Sequence, residues 1–293
     1  MSAEHPLSDI LSATDLERLA RGTCLTSGGS ADAHVARRLT GLGHESDPWL
    51  LCLREWFHLA ASHGPDTAAH YKRRFRSGVD SMKGFCQPAD ELRVAYFLER
   101  QQGFRLKYIP TDSVGGRRTP EFEVSGGSIT ILVEVKTIGD HPWGGGTGFL
   151  GGVRSRADAI RDAIKDAVGQ FDKARHNLLI VVDQDRPPIP PCDVIDALRG
   201  TECLSFPYVY EPNGSVSDGA PRVQRDRDGG VGPKSNTRVG AIGVLASDVC
   251  VESRAFFVHN KHAAKPVPPE PFDPWPQLAP ELVPRNSSDD YWQ

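Results

Sequence analysis

Two short stretches of alternating apolar and polar residues, separated by a glycine pair, constrain this fold more than any other feature. Residues 121–125 (EFEVS) and 128–138 (SITILVEVKTI) flank Gly126-Gly127. Alternation with a period of two is typical of half-buried β-strands, and a two-residue glycine turn joins such strands. The pattern therefore predicts an antiparallel hairpin whose two faces differ in chemistry.

The register of this hairpin decides which side chains are neighbours. A turn at Gly126-Gly127 pairs residues whose numbers sum to 253, so Glu121 faces Leu132. Glu121 and Glu134 then become diagonal neighbours, with Cα atoms about 7–8 Å apart. One face is an apolar stripe of Phe122, Val124, Ile131, Val133 and Val135. The other face carries Glu121, Glu123, Thr130, Leu132, Glu134 and Lys136.

Helical and extended patterns alternate around the hairpin. Apolar residues at three- and four-residue spacing predict helices over residues 6–21, 31–42, 48–62, 65–82, 88–103, 155–176 and 193–199. Apolar runs predict further strands over residues 104–110, 177–182, 241–246 and 255–259. Residues 139–154 and 211–238 are predicted loops. We expect an α/β fold with a helical region over residues 1–85 and a domain over residues 86–265, in which helices flank a mixed central sheet.

Composition excludes several other classes of protein. No apolar run approaches the ~18–20 residues that a membrane span needs, and the N-terminus lacks the pattern of a secretory signal. The six cysteines are scattered without a C-x-x-C pair, and the ten histidines show no zinc-type spacing. These features predict a cytoplasmic protein with reduced cysteines and no membrane partner.

The net charge of −4 lies at one end of the chain. Residues 266–293 contain eight prolines, five acids and one base, and they are predicted to be a tail without regular structure. The preceding residues carry 33 bases and 33 acids, so they are neutral overall. A neutral body with local basic stretches is compatible with a nucleic-acid enzyme.

The polar face of the hairpin carries side chains that suit a hard cation. Two carboxylates at the predicted separation can share Mg²⁺, which prefers oxygen ligands and keeps several waters. Lys136, beside Glu134 on the same face, suits contact with an attacking water or with negative charge that develops on phosphate. The alternative is a solvated face of Glu–Lys ion pairs, which is common in antiparallel sheets.

Several segments in this region resemble the PD-(D/E)xK nuclease superfamily, which has the restriction-endonuclease-like fold. Residues 119–124 (TPEFEV) and 132–136 (LVEVK) resemble its two motif halves. Residues 91–108 (ELRVAYFLERQQGFRLKY) resemble its first core helix and strand. The helix that contains Lys165, with GQF at residues 169–171, resembles the helix that follows the lysine strand. The resemblance spans about residues 88–183.

The resemblance implies hydrolysis of phosphodiester bonds by an activated water, with Mg²⁺ or Mn²⁺ as the cofactor. Glu121 and Glu134 take the metal-ligand positions, and Glu91 would be a supporting ligand or acid. Lys136 takes the position of the catalytic lysine, and Gln170 would contact the site or the substrate from its helix. The expected enzyme is a bacterial-type endonuclease acting on DNA, with RNA left open as a substrate.

Two further expectations concern the parts outside the nuclease-like domain. The N-terminal helical region is expected to bind DNA, a partner protein or a second copy of the chain, so a homodimer is one expectation. As a hypothesis, the acidic tail folds over the basic surface and competes with DNA.

One departure from the superfamily pattern keeps other interpretations open. Glu121 stands where the superfamily has Asp, and its extra methylene displaces the carboxylate although Mg²⁺ geometry is strict. Asp112 is a possible substitute acid. A catalytically degenerate member of the same fold, which binds nucleic acid or protein, is the alternative function.

Three other segments have competing interpretations. Residues 146–151 match G-x-G-x-x-G, which would suit a nucleotide enzyme, but seven residues separate the motif from the strand. A flexible loop beside the site is the other interpretation. The basic and aromatic residues 71–76 (YKRRFR) suit phosphate binding or a solvated helix face, and the basic residues within 222–238 suit a DNA clamp or a disordered loop.

Overall fold

The structure, a computed structural model, leads from a helical N-terminal part into a mixed β-sheet. It describes residues 5–18, 48–79, 82–109, 119–138, 156–183, 189–200, 202–205, 208–210, 216–218, 222–225, 230–231, 236–246, 255–273 and 275–278. In that part of the chain, no helix is both long enough and apolar enough to span a membrane.

The helices of the described residues agree largely with the periodicity of the sequence. They are α1 (Pro48–Ser62), α2 (Pro65–Gly78), α3 (Met82–Tyr96), α4 (Arg156–Val168) and α5 (Pro191–Arg199), and residues 13–18 are also helical. The first three pack around one apolar cluster that includes Leu53, Phe57, Tyr71, Phe75 and Phe85. The helix predicted over residues 31–42 lies outside the described residues.

Helix α3 begins earlier than its sequence suggests. The predicted start at Pro88 is wrong, because the helix begins at Met82 and contains Pro88. Proline inside a helix removes one backbone hydrogen bond. The preceding turns pack onto α1 and α2 through the buried Phe85 and Cys86, and this packing offsets the loss. A π-helical turn over Phe97–Gln101 then ends the helical segment.

Seven strands form one mixed sheet, which confirms the predicted α/β class. The described residues contain eleven strands, seven of them in this sheet: β1 (Arg105–Tyr108), β2 (Phe122–Gly126), β3 (Ile129–Ile138), β4 (His176–Asp183), β5 (Glu202–Ser205), β6 (Tyr208–Tyr210), β7 (Val216–Asp218), β8 (Arg222–Arg225), β9 (Ala241–Ala246), β10 (Ala255–His259) and β11 (Gln277–Leu278). The order in the sheet is β1-β2-β3-β4-β9-β10-β11. β2 pairs antiparallel with both β1 and β3, whereas β4 pairs in parallel with both β3 and β9.

The hairpin register differs by two residues from the prediction. Phe122 pairs with Val133, so partner numbers sum to 255, and the turn residues are Gly127 and Ser128. Gly127 has a φ of 59°, a left-handed conformation that suits glycine at the first turn position of a type II′ hairpin. A shift of two residues leaves every side chain on its predicted face.

Both faces of the sheet are buried. One face packs against α4 and α5 through side chains that include Leu132, Ile160, Ile164, Leu179 and Ile242. The other packs through side chains that include Val94, Leu98, Phe122, Val133, Phe257 and Phe272. Glu134 lies on the same face of β3 as Leu132, so the sheet carries a carboxylate within a largely apolar layer.

Residues 266–273 and 275–278 are part of the packed structure. The prediction of a tail without regular structure is wrong here, because β11 pairs in parallel with β10 and residues 270–272 form a 3₁₀ turn. The Phe272 ring lies 4.4 Å from that of Phe257, and the Trp275 ring lies 5.5 Å from that of Phe97. Burial of these rings stabilises the segment despite its prolines. Residues 279–293, the rest of the proposed tail, lie outside the described part.

Two other predicted boundaries need correction. Helix α4 ends at Val168 and not at residue 176, because Gly169 and Gln170 form a turn before β4. The predicted loop over residues 211–238 contains β7 and β8, which pair with β6 and β5 in two small sheets. The predicted loop over 139–154 lies outside the described residues.

Gly243 in β9 gives a test of the packing on this sheet. A Cβ atom at this position would lie 2.8 Å from the buried ring of Phe257. That ring is held against Phe272, so we expect Gly243→Ala to lower the free energy of unfolding by about 1–3 kcal/mol. Urea denaturation measures the change. The control is Gly169→Ala, where the nearest atom would be 3.9 Å away; equal midpoints for both variants would contradict the prediction.

Candidate active site

The central residue of the candidate site is Glu134, in the middle of β3. Its side chain is fully buried. One oxygen, Oε1, accepts hydrogen bonds from Lys136 Nζ and from Gln170 Nε2, the latter at 2.6 Å. The other oxygen, Oε2, is buried and has no hydrogen-bond partner among the described residues. Burying a charged oxygen without a partner is costly, so Oε2 is the atom of this site best suited to a cation.

Glu121 lies directly before β2 and adjoins Glu134. Continuing the observed register by one residue places Glu121 opposite Glu134, where Cβ atoms are typically about 4.5–5.5 Å apart. Glu121 Oε2 accepts a hydrogen bond of 3.0 Å from the amide of Val135. Its carbonyl oxygen accepts one of 2.9 Å from the amide of Ile109. These contacts fix Glu121 between β1 and β3. The observed register places Glu121 and Glu134 closer together than the predicted register does.

The electrostatics of this pair favour a bound positive charge. Burial, and then the adjacent carboxylate of Glu134, raise the pKa of Glu121 well above its usual range. The Val135 amide and the Lys136 ammonium act in the opposite direction. Two neighbouring carboxylates cannot both be ionised cheaply unless a proton or a cation lies between them. The site can therefore hold either a proton or a cation at this position.

Glu91 on α3 is held by an arginine from the N-terminal helices. Arg74 on α2 donates to both carboxylate oxygens of Glu91, with Nη2 at 2.6 Å from Oε1. Glu91 is fully buried, and burial followed by the charge of Glu121 raises its pKa to about 7. Thr137 donates a 2.7 Å hydrogen bond to Asp90, which joins α3 to β3 beside the site. The N-terminal helices are therefore integral to the candidate site.

Arg74 was not among the predicted site residues, although the sequence carries a signal for it. Tyr71 and Phe75 are the buried aromatic residues of α2. Position 74 falls on the same helical face as these two, because side chains three and four residues apart are neighbours. A charged arginine on an apolar helix face needs an acidic partner, and the buried carboxylate of Glu91 is that partner. The basic segment over residues 71–76 is therefore neither wholly a phosphate-binding face nor wholly a solvated one.

The structure brings Lys136 and Gln170 into contact with Glu134. The sequence predicts that Gln170 contacts the site from its helix. In the structure, Gln170 reaches Glu134 from the turn that follows α4. Glu123, on the same strand face, instead forms an ion pair with Arg175 at 2.7 Å. Asp112 and residues 146–151 lie outside the described residues.

The carboxylates do not form a large ligand set. Within the described ranges, no group of three or more His, Cys, Asp or Glu side chains is arranged to hold a metal ion. Both oxygens of Glu91 are bonded to Arg74. A cation at this site would therefore be held by Glu121 and Glu134, with the rest of its coordination supplied by water or substrate.

Comparisons with protein-family models, with curated proteins and with solved structures find no match for this chain.

Proposed function

We propose that this chain is a divalent-cation-dependent nuclease that hydrolyses phosphodiester bonds in DNA, on a restriction-endonuclease-like core. The observation that carries the proposal is the half-buried Glu121 beside the fully buried Glu134, with Lys136 and Gln170 hydrogen-bonded to one oxygen of Glu134 and the other oxygen without a hydrogen-bond partner among the described residues. An ordinary surface of Glu–Lys ion pairs would leave these carboxylates in water.

The donor set fits Mg²⁺ or Mn²⁺. Magnesium in proteins is commonly held by one or two carboxylates and keeps several waters, and the unpaired Oε2 of Glu134 supplies an oxygen beside Glu121. When bound, such a cation polarises a phosphoryl oxygen and lowers the pKa of a water. The high pKa of Glu121 reflects the same need for positive charge at this position.

Each side chain has a distinct role in the proposed reaction. Glu121 and Glu134 hold the cation, and the Val135 amide keeps the Glu121 carboxylate in place. Lys136 is 21% exposed, so its ammonium can donate hydrogen bonds to an arriving phosphate or to the attacking water. There it stabilises the negative charge that develops on the phosphate. Gln170 orients Glu134, and the Arg74–Glu91 pair keeps α2 and α3 beside the site.

The topology supports the proposed core. The chain runs from α3 through β1, β2 and β3 to α4 and β4, which is the order that the resemblance over residues 88–183 leads us to expect. The hairpin of β2 and β3 joins the parallel strand β4 in one sheet, so the carboxylates lie where antiparallel and parallel pairing meet.

The proposal is tested by incubating supercoiled plasmid and circular single-stranded DNA with the protein in Mg²⁺, Mn²⁺ or EDTA. We expect cleavage with either cation and none in EDTA. Glu134→Gln should lower the cleavage rate at least about a hundredfold, because it removes a cation ligand. The matched control is Glu123→Gln, which makes the same change on the same face of the hairpin and should alter the rate less than about twofold.

Two outcomes would count against this function. Absence of cation-dependent cleavage by the wild-type protein would contradict it directly. Binding of DNA without cleavage would favour the alternative, a catalytically degenerate member of the same fold.

A further inference from the structure

A cavity of about 310 Å³ opens beside Glu121, between α2, α3 and the end of β1. Its lining comes mostly from α2 and includes Ala69, Tyr71, Arg73, Arg74, Tyr108 and Glu121. The cavity thus reaches one of the two proposed cation ligands from the side that α2 covers. A group bound here would lie next to the reacting phosphate.

The walls of the cavity differ in chemistry. The half-buried Tyr108 forms the aromatic part, and its ring lies edge-to-face against the buried ring of Tyr71, with centroids 5.7 Å apart. Arg74 lies over Tyr71 and is committed to Glu91. Arg73, by contrast, is exposed and has no ion-pair partner in the described part of the chain. The cavity therefore combines an aromatic surface with one available cation at its edge.

The size of the cavity restricts what it can accept. It lies at the lower end of the ~300–1,000 Å³ range of small-molecule sites, so it has room for one nucleotide but not for a base pair. A base that is paired and stacked in a duplex cannot enter such a site unless it is first extruded. An unpaired base can enter directly, and aromatic side chains with a nearby arginine suit single-stranded nucleic acid.

We propose that this cavity binds one unpaired nucleotide of the substrate strand, next to the scissile phosphate, with Arg73 on its phosphate. The preferred substrate is then single-stranded or locally unpaired nucleic acid. This inference rests on the proposed nuclease function and specifies its substrate class.

The sequence offers a matched pair of variants to test the role of Arg73. Arg73 lines the cavity, whereas the neighbouring Lys72 lies over the ring of Phe57, with Nζ 5.7 Å from its centroid. Arg73→Ala and Lys72→Ala each remove one positive charge from adjacent positions of α2. General electrostatic attraction predicts equal losses of affinity, whereas a phosphate contact in the cavity predicts a loss for Arg73→Ala only.

The binding experiment uses a fluorescent 12-nucleotide single strand and the matching duplex, in EDTA, with fluorescence anisotropy as the readout. We expect the wild-type protein to bind the single strand at least about tenfold more tightly than the duplex. Arg73→Ala should weaken that binding about five- to tenfold, and Lys72→Ala less than twofold. Ala69→Trp, which fills the mouth of the cavity, should abolish the preference for the single strand.

The outcomes separate this inference from the proposed function. Equal affinity for both substrates, or equal losses in the Arg73→Ala and Lys72→Ala variants, would overturn the cavity assignment while cation-dependent cleavage still supports a nuclease. If the wild-type protein neither binds nor cleaves either substrate, both proposals fail.

Discussion

Replacing Lys136 with alanine is expected to lower cation-dependent cleavage of DNA at least about a hundredfold, because the variant loses the proposed electrostatic stabilisation of the reacting phosphate. The ammonium group of Lys136 contacts Glu134 Oε1 and also reaches solvent. It contacts the carboxylate whose other oxygen we assign to the metal. Cleavage of plasmid under single-turnover conditions measures the effect.

The expected loss is specific to the chemical step. Glu121 and Glu134 remain in Lys136→Ala, so the variant should still bind Mn²⁺ in a calorimetric titration, whereas Glu134→Gln should not. Lys107→Ala is the charge-matched control, since Lys107 is exposed on β1 opposite Glu123 and does not contact Glu134. Equal cleavage by wild type and Lys136→Ala would remove Lys136 from the mechanism, whatever the behaviour of the control.

The faces of the hairpin could be predicted because they depend only on the alternation of side chains along a strand. Phe122 and Val133 are buried and Glu121 adjoins Glu134, as the pattern required. The exact register could not be predicted, because Gly126-Gly127 and Gly127-Ser128 are both plausible turns in sequence. The left-handed φ of Gly127 decides between them, and a shift of two residues turns diagonal neighbours into direct ones.

Contacts between distant segments account for most of what the sequence did not reveal. Arg74 and Glu91 are far apart in sequence and on different helices, so no local pattern joins them. The prolines of residues 266–278 hid an element whose stability comes from Phe272 packed on Phe257. In both cases burial against another element outweighed local propensity. The helical position of Arg74 and the aromatic residues of the proline-rich segment were the available signals.

Without divalent cations, the free energy of unfolding is expected to decrease as pH rises from about 5 to 8. Glu91 alone contributes about 3 kcal/mol to this decrease. The pKa of Glu91 is raised from its usual 4.5 to about 7, first by burial and then by the charge of Glu121. Between these two values the folded protein binds more protons than the unfolded chain. The free energy of unfolding therefore decreases as pH rises through this window, and the raised pKa of Glu121 adds to the effect.

Glu91→Gln isolates this contribution, because it keeps a hydrogen-bonding group beside Arg74 and removes the titration. Urea unfolding in EDTA at pH 5 and pH 8 should show a smaller loss of stability for the variant than for the wild type, with a difference of about 3 kcal/mol. Groups remote from the site cancel in this comparison, whereas the coupled titration of Glu121 and Glu91 is part of the difference that it measures. An equal pH dependence in the two proteins would show that Glu91 does not titrate in this range.

Divalent cations should reverse the trend if the carboxylate pair binds them. At pH 8, where few protons compete for the carboxylate pair, 10 mM Mn²⁺ should raise the urea midpoint, since a ligand that binds only the folded state stabilises it. Protons compete with the cation for Glu121, whose pKa is raised, so the same concentration of Mn²⁺ should have a smaller effect at pH 5. Glu134→Gln should lose the response at pH 8, whereas Glu123→Gln should keep it. A response of equal size at both pH values, or one that survives in Glu134→Gln, would place the cation elsewhere on the protein.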